Sequence, residues 1–434
     1  MKFISDSLSV NEHGRLAVGG ADVSELAEKY GTPLFIMDEG EIRKNCREYV
    51  SSLKKHYGGN FLVLYASKAF CAKYMYKIIE DEGLGADVVS GGELFTALSA
   101  GFPADRIYFH GNNKTESEIR FAIESKIGGF VVDNREELYL IDKLSKDYGT
   151  KTRISFRIKP GIDAHTHEFI KTGQIDSKFG VALENGEAYE LISEAVKLEN
   201  VSVCGLHCHI GSQIFEKEPF EHAAEVMMKF ISKIQSTLPC KIEDLNLGGG
   251  FGIKYTEKDA PNSIGSMTET FCEAIKKSAR QYGIELPRIL IEPGRSIVAS
   301  SGLTVYRVGS VKEIKNIRTY VSVDGGMTDN PRYALYGAEY EMLLPERPLD
   351  EKDTVVTVAG RNCESGDLLG RDIALPKVKN GELLAVLATG AYNYSMASNY
   401  NRVPRPPVVM VKDGADKLIV KRETYSDLTA NDIL

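Results

Sequence analysis

The seven cysteines of this 434-residue chain include no CxxC pair. An odd number of thiols scattered along so long a sequence provides neither a disulfide framework nor a structural zinc site, and reduced thiols are expected. Long apolar runs are missing as well: none approaches the roughly 20 residues needed to span a bilayer. The opening MKFISDSLSVNEHG also lacks the apolar stretch of a signal peptide. The expectation is a cytoplasmic protein with no membrane partner. Positive charge is in deficit, with 53 Lys and Arg against 61 Asp and Glu, and a net charge of −8 offers nucleic acid no general attraction. Proline is scarce, 15 residues against 40 glycines, and 43% of the residues are hydrophobic, which excludes collagen-like and disordered chains. At roughly 100 to 200 residues per domain, the length predicts two domains.

What the sequence does have is a rhythm. From residue 61 to about 298, short apolar runs alternate with amphipathic stretches. The runs are FLVLYASK (61–68), GADVVS (85–90), RIYFHGNN (106–113), GGFVVDN (128–134), RISFRIKP (153–160), VCGLHCHIGS (203–212), IEDLNLGGG (242–250) and RILIEPGR (288–295). Between them, TESEIRFAIESKIG places Ile119, Ala122 and Ile123 on one helical face behind a Thr115/Glu118 capping box. PFEHAAEVMMKFISKI opens with a proline suited to a first helical turn. Eight strand-like runs alternating with helices predict an α/β fold, a (β/α)₈ TIM-like barrel over residues 36–300, with a doubly wound sheet as the competing arrangement. Beyond residue 300 the pattern turns to β-branched runs with turn signals, a second all-β domain of sandwich or barrel type that residues 1–35 join. The C-terminal YSDLTANDIL reads as a solvated tail.

Nearly every run ends in polar or glycine residues: Lys68, Asp87, His110, Asp133, Arg157, His207 and His209, Gly248–Gly250, Glu292 and Arg295. In a barrel these ends converge on one mouth, where ligands bind. Lys68, closing an apolar strand, either snorkels to solvent or serves as an amine that forms a Schiff base with an aldehyde, the chemistry that anchors pyridoxal phosphate. GGGFG (248–252) is either a tight turn or a backbone cradle for phosphate; it lacks both dinucleotide and P-loop spacing. In EPGR, Glu292 could keep a pyridine nitrogen protonated while Arg295 pairs with a phosphate or carboxylate, or the two form a plain ion pair. His207 and His209 stand two apart on one strand. They could ligate a metal, as in barrel metallohydrolases, stack on a flat cofactor, or simply pack in the core. His165 and His167 sit in a polar stretch that reads as a loop.

Taken in order, YASKAF, GADVVSGGEL, GLHCHIGSQI, LNLGGGFG, EPGRS, DGGMTDNPRYALYGAEY, CESGD and GAYNYSMASNYN closely resemble the motifs of the diaminopimelate decarboxylase family, colinear from about residue 31 to 400. The resemblance implies a fold-type III pyridoxal 5′-phosphate enzyme with an alanine-racemase-like barrel and a β domain. It would work as a homodimer that decarboxylates meso-2,6-diaminopimelate to L-lysine and CO₂, the last step of lysine biosynthesis, with no metal. A related decarboxylase of the ornithine, arginine or carboxynorspermidine type is the alternative.

Carried over residue by residue, the resemblance makes Lys68 the Schiff-base lysine, sets His209 on the cofactor ring and faces Glu292 to the pyridine nitrogen. Asp87, Ser212, Gly249, Gly250, Pro293, Gly294, Arg295 and Tyr392 complete the cofactor site. Arg295, Arg332, Tyr336, Glu364 and Tyr392 fall at substrate-contacting positions, and Cys363 at that of the proton donor. Cys363 and Glu364 would enter from the partner chain. A substrate with an amine and a carboxylate at its far end suits a cation such as Arg332 beside an anion such as Glu364, whereas an arginine there repels a diamine tail. Asp329, three residues before Arg332, is the nearest competing acid.

Overall fold

The computed structural model describes residues 3–162 and 177–434, so His165 and His167 lie outside the described residues. By internal contacts the chain forms two units. One comprises Asn45–Gly252 with Pro261–Ser296, the other Met1–Lys44, Ile253–Ala260 and Ile297–Leu434.

In the first unit each of the eight apolar runs contributes one strand: β1 Phe61–Ala66, β2 Gly85–Val88, β3 Ile107–Phe109, β4 Gly129–Val132, β5 Thr152–Lys159, β6 Val201–Cys208, β7 Asp244–Asn246 and β8 Arg288–Ile291. Each pairs in parallel with the next, and β8 pairs with β1, Leu290 opposite Leu62, so the sheet closes on itself. A closed parallel ring is the barrel and excludes the doubly wound sheet. Its strands are covered on both faces, by side chains within and helices without, which is why β2 and β4 are buried at every residue, β4 as an unbroken apolar run and β2 apolar but for Asp87. Leu64, Tyr108 and Leu290 pack as one core cluster. Near them Arg288 grips Asp244 through two hydrogen bonds of 2.8 and 2.7 Å and donates to the Tyr108 hydroxyl at 2.7 Å.

The helices follow the expected signals. α1 is Lys73–Asp81, α2 Gly91–Ser99, α3 Glu116–Glu124, α4 Arg135–Asp147, α5 Glu187–Ala195, α6 Glu218–Thr237 and α7 Ile264–Tyr282. The capping box of Thr115 and Glu118 starts α3, whose Ile119, Ala122 and Ile123 are buried, and α6 carries its proline in the first turn.

The other unit is built on a mostly antiparallel sheet. Its strands run in the order Leu368–Leu375, Thr354–Ala359, Arg318–Val323, Gly302–Ile314, Leu34–Asp38, Val408–Lys412 and Ala415–Val420, and Leu383–Leu387 also pairs with Gly302–Ile314. Two neighbours are parallel: Arg318–Val323 with Thr354–Ala359, and Leu34–Asp38 with Val408–Lys412. The expected boundary at residue 36 thus falls inside a strand of this sheet. The C-terminal segment carries a short helix, Tyr425–Thr429, with a capping box of Thr424 and Asp427 and no buried residue.

In the barrel unit, Lys114 is buried and its ammonium donates to Gly111 O at 2.9 Å, Val131 O at 2.8 Å and Glu137 Oε1 at 2.6 Å, while Glu137 Oε2 accepts from Asp133 N at 3.0 Å. One side chain therefore ties the turn after β3 to the end of β4. Lys114→Met leaves a buried carboxylate without its cation and should cost about 3 kcal/mol in urea unfolding. Lys114→Met/Glu137→Leu should recover much of that loss, and equal losses in the two variants would show that the pair's charge balance is not what holds the turn.

Candidate functional site

Register decides which side chains meet at the barrel mouth. Ala66 of β1 stands opposite Asp87 of β2, while Arg157 of β5 is level with His207 of β6, which is level with Asn246 of β7. Glu292 lies just beyond β8, its amide bonded to Gly248 O at 2.8 Å. Its buried carboxylate is the centre of the group. Oε1 accepts from Asn246 Nδ2 at 2.6 Å and lies 2.8 Å from His110 Nε2, and Oε2 lies 3.1 Å from His207 Nε2. His110 also stands 3.9 Å from Asp87 Oδ1. The His110 and His207 rings meet edge to face, with centroids 4.9 Å apart.

These groups share a buried space, yet their protonation differs. Burial disfavours the charged carboxylate of Glu292, but His110 and His207 reverse that and hold it well below the usual range. Burial pushes His207 down to about 4, so it is a neutral imidazole that donates to Glu292 through Nε2, and no partner meets its Nδ1 among the described residues. Burial acts on His110 in the same direction, but Asp87 and Glu292 together outweigh it and raise its pKa. His209 is held well below its usual value by burial and by the cations Lys68 and Arg157. Its Nδ1 accepts from Gly249 N at 3.3 Å. Asp87 is raised, first by burial and, among the charges, by Glu292.

The HxH pair therefore does not converge on one ion. Among the described residues the tight group with metal-ligating atoms is His110, His207 and Glu292, without His209, and both imidazoles there face the Glu292 carboxylate.

Lys68 sits in a 3₁₀ turn directly after β1, exposed between the buried Ser67 and Ala69. Across the mouth, Arg295 donates from Nη2 to Ser212 Oγ at 2.9 Å. The glycine turn has no room for side chains: a Cβ at Gly249 would come within 2.1 Å of Glu292 O, and one at Gly250, where φ is +109°, within 2.3 Å of Gly211 O. Its backbone is thus pressed between the ends of β6 and β8. Pro293 O accepts from Ala66 N at 3.2 Å, and a Cβ at Gly294 would meet Ala66 Cβ at 2.9 Å, which draws EPGR against the end of β1.

In the β unit, buried Arg332 opens a short helix, Arg332–Tyr336. Its guanidinium donates to the Tyr340 hydroxyl and lies 5.2, 5.6 and 5.9 Å from the ring centres of Tyr255, Tyr340 and Tyr392. Tyr392 holds a left-handed φ of +67°, a conformation that costs a bulky residue of order 1–3 kcal/mol. Tyr336, Cys363 and Glu364 are exposed, with Cys363 N bonded to Asn401 Oδ1 at 2.8 Å. Asp329 is occupied elsewhere, accepting from the Tyr306 hydroxyl and from Gly326 N.

Sequence reasoning gives no role to Asn246 or Glu93 and notes His110 and Arg157 only as strand ends. Asn246 is an inward polar residue between two leucines, which was a readable signal. Glu93 accepts from Val89 N at 2.8 Å, and its pKa is pushed up by burial to about 7. Arg157 lies over the Phe179 ring at 4.3 Å.

The donor set at the barrel mouth fits pyridoxal phosphate. It offers a primary amine for an aldehyde, an ionised carboxylate for a ring nitrogen, a neutral flat imidazole, and a guanidinium, a hydroxyl and a side-chain-free turn for a phosphate.

His207 also gives a stability prediction. Its pKa falls from 6.5 to about 4 on folding, so between those values the unfolded chain binds more protons and stability drops as the pH is lowered. The loss attributable to His207 is roughly 3 kcal/mol across that window, with His209 adding to it and His110 acting in the opposite sense. Denaturant unfolding at a series of pH values should show this loss in the wild type and a shallower slope in His207→Gln. Identical slopes would mean that the imidazole is not neutral in the fold.

Comparison with known proteins agrees with this donor set. Residues 39–299 match the family model described as "Pyridoxal-dependent decarboxylase, pyridoxal binding domain". The chain is 49% identical to a diaminopimelate decarboxylase of Bacillus subtilis, over 99% of this chain and 98% of that one. It is 46% identical to one of Staphylococcus aureus, over 98% and 99% of the two chains. A crystal structure of diaminopimelate decarboxylase from M. jannaschii in complex with L-lysine superposes with a TM-score of 0.92 at 38% identity, over 100% of this chain and 99% of that one. Full-length identity of this order, on a closed barrel with that mouth, shows that the chain belongs to the diaminopimelate decarboxylases, within the pyridoxal-dependent decarboxylases.

Proposed function

We propose that this chain uses pyridoxal 5′-phosphate to decarboxylate meso-2,6-diaminopimelate to L-lysine and CO₂, completing lysine biosynthesis in the cytoplasm. The observation that carries the reading is the Glu292 carboxylate, buried and ionised between two imidazoles, in a barrel whose mouth also presents the exposed amine of Lys68. No described helix is long and apolar enough to cross a membrane.

When bound, pyridoxal phosphate supplies a conjugated electron sink for the electron pair that stays on the α-carbon as CO₂ departs. Lys68 holds the cofactor through its amine. Glu292 keeps a proton on the ring nitrogen, His209 covers the ring, and Asp87 completes the polar surroundings. Arg295, Ser212, Tyr392 and the turn at Gly249 and Gly250, braced by Pro293 and Gly294, hold the phosphate. At the far end of the substrate, Arg332 and Tyr336 bind the carboxylate and Glu364 the ammonium, with Arg295 and Tyr392 shared between substrate and cofactor. Cys363 returns a proton to the α-carbon.

Substrate choice rests on Arg332. It is buried against three tyrosines and, among the described residues, has no carboxylate partner, which suits it to an anionic group from outside. Purified protein supplied with pyridoxal phosphate should release CO₂ from meso-diaminopimelate and not from L-lysine or L-ornithine. Arg332→Gln should lower kcat/KM for diaminopimelate about 100-fold, the loss of one charge-assisted bidentate contact. Release from ornithine by the wild type would overturn the substrate assignment and keep the cofactor chemistry.

The exposure of Cys363 and Glu364 in the single chain supports their use by a second subunit, in a homodimer whose two sites are shared. Lys68→Ala and Cys363→Ala chains should each be nearly inactive. Mixing equal amounts after dissociation should restore about a quarter of wild-type activity, since half the dimers are mixed and each has one intact site. No recovery in a mixture shown to contain mixed dimers would place both residues of each site in one chain.

A further inference from the structure

We infer that His110 is a positioning residue of this enzyme, an imidazole whose place between Asp87 and Glu292 fixes the charge of the carboxylate that faces the cofactor's ring nitrogen. The inference rests on the assignment of Glu292 given above and adds to it a residue outside the set assigned to cofactor and substrate.

Three observations support it. The first is placement. His110 follows β3 directly, its amide bonded to Val88 O at 2.8 Å, and Lys114 pins the next turn by donating to Gly111 O at 2.9 Å. The imidazole is therefore held at both flanks of its backbone and is buried.

The second is the geometry of the contact. Nε2 lies 2.8 Å from Glu292 Oε1, but no well-directed hydrogen bond forms there, and Asn246 supplies the directed bond to the same oxygen at 2.6 Å. His207 supplies the contact to the other oxygen at 3.1 Å. Orientation thus has two donors already, and what His110 adds is charge.

The third is the balance of charges around it. The titratable groups facing His110 are Asp87 from β2, Arg157 from β5, His207 from β6 and Glu292 from beyond β8. Two acids, 3.9 and 2.8 Å from Nε2, favour the imidazole's cation, while the charge of Arg157 opposes it. His207 has Glu292 for a partner but His110 and Arg157 working against it, and it stays neutral. An imidazolium at His110 is then the near cation that lets Glu292 remain ionised out of water. Without it, the carboxylate would tend to take up the proton that it must leave on the ring nitrogen.

The test uses the apoenzyme first, which separates this inference from the cofactor assignment. In ¹⁵N-histidine-labelled apoenzyme at mildly alkaline pH, one imidazole should carry protons on both ring nitrogens. That signal should persist in His207→Gln and disappear in His110→Gln, which keeps an amide donor and removes the charge. On reconstitution, His110→Gln should bind pyridoxal phosphate about tenfold more weakly, judged by fluorescence titration. It should also lose kcat with little change in KM for diaminopimelate, measured at a temperature where the variant is fully folded. A wild-type spectrum without a doubly protonated imidazole overturns the inference, as does His110→Gln with wild-type cofactor affinity and kcat. If His110→Gln does not fold, loss of the same signal in Glu292→Gln supports the pairing and its retention overturns it. A wild type that shows the signal but never binds pyridoxal phosphate would leave the His110 pairing intact and sink the cofactor assignment.

Discussion

The molecule's active-site region is organised by a single buried charge. A carboxylate taken out of water is costly unless cations and donors replace its hydration, and Glu292 has that replacement from three directions. Asn246 comes from β7, His207 from β6 and His110 from the end of β3. Asn246 comes from the strand next to β8, but His207 stands two strands away and His110 three, and these two reach Glu292 only where the sheet curls into a barrel in register. Closure, the Asn246–His207 register and the turn that presses Gly249 against Glu292 O are thus requirements of one interaction as much as features of a fold.

Closure also explains what could be read in advance. Each of the eight apolar runs became a strand because parallel strands covered on both faces must be apolar almost throughout, and the polar residues that ended the runs mark where the barrel opens. The motifs around Lys68, Glu292 and Gly249 were legible for the same reason, since their residues are local to one strand end. The contact between His110 and Glu292 was not, because it depends on tilt and stagger across the ring rather than on any spacing along the chain. The HxH pair shows the limit in miniature. A period of two puts both histidines on one face, but the strand ends at Cys208, so His207 turns to Glu292 while His209 accepts from the glycine turn. In the β unit the runs were visible, whereas the parallel pairing of Arg318–Val323 with Thr354–Ala359 depends on a long connection that composition does not encode.

The two imidazoles beside Glu292 show how little of their chemistry belongs to histidine itself. Their rings are 4.9 Å apart and both are buried, yet one is pushed to about 4 and the other is raised. One carboxylate separates them: His110 faces Asp87 as well as Glu292, whereas Glu292 is the one acid acting on His207 among the described residues. A neutral donor and a nearby cation beside the same carboxylate do separate work, the first fixing a proton position and the second a charge.

Arg332 poses the complementary problem, a buried cation in place of a buried anion. Among the described residues its surroundings are three aromatic rings and one phenol hydroxyl, enough to orient a guanidinium and to favour it through the ring faces, but without the full negative charge that a buried arginine ordinarily meets. The acid closest in sequence, Asp329, is spent on Tyr306 and Gly326 N. A cation left in that state gains most from a ligand that brings its own carboxylate, and least from one that ends in an ammonium group. The proposed preference for a substrate with an acid at its far end therefore rests on how Asp329 is used as much as on the presence of Arg332.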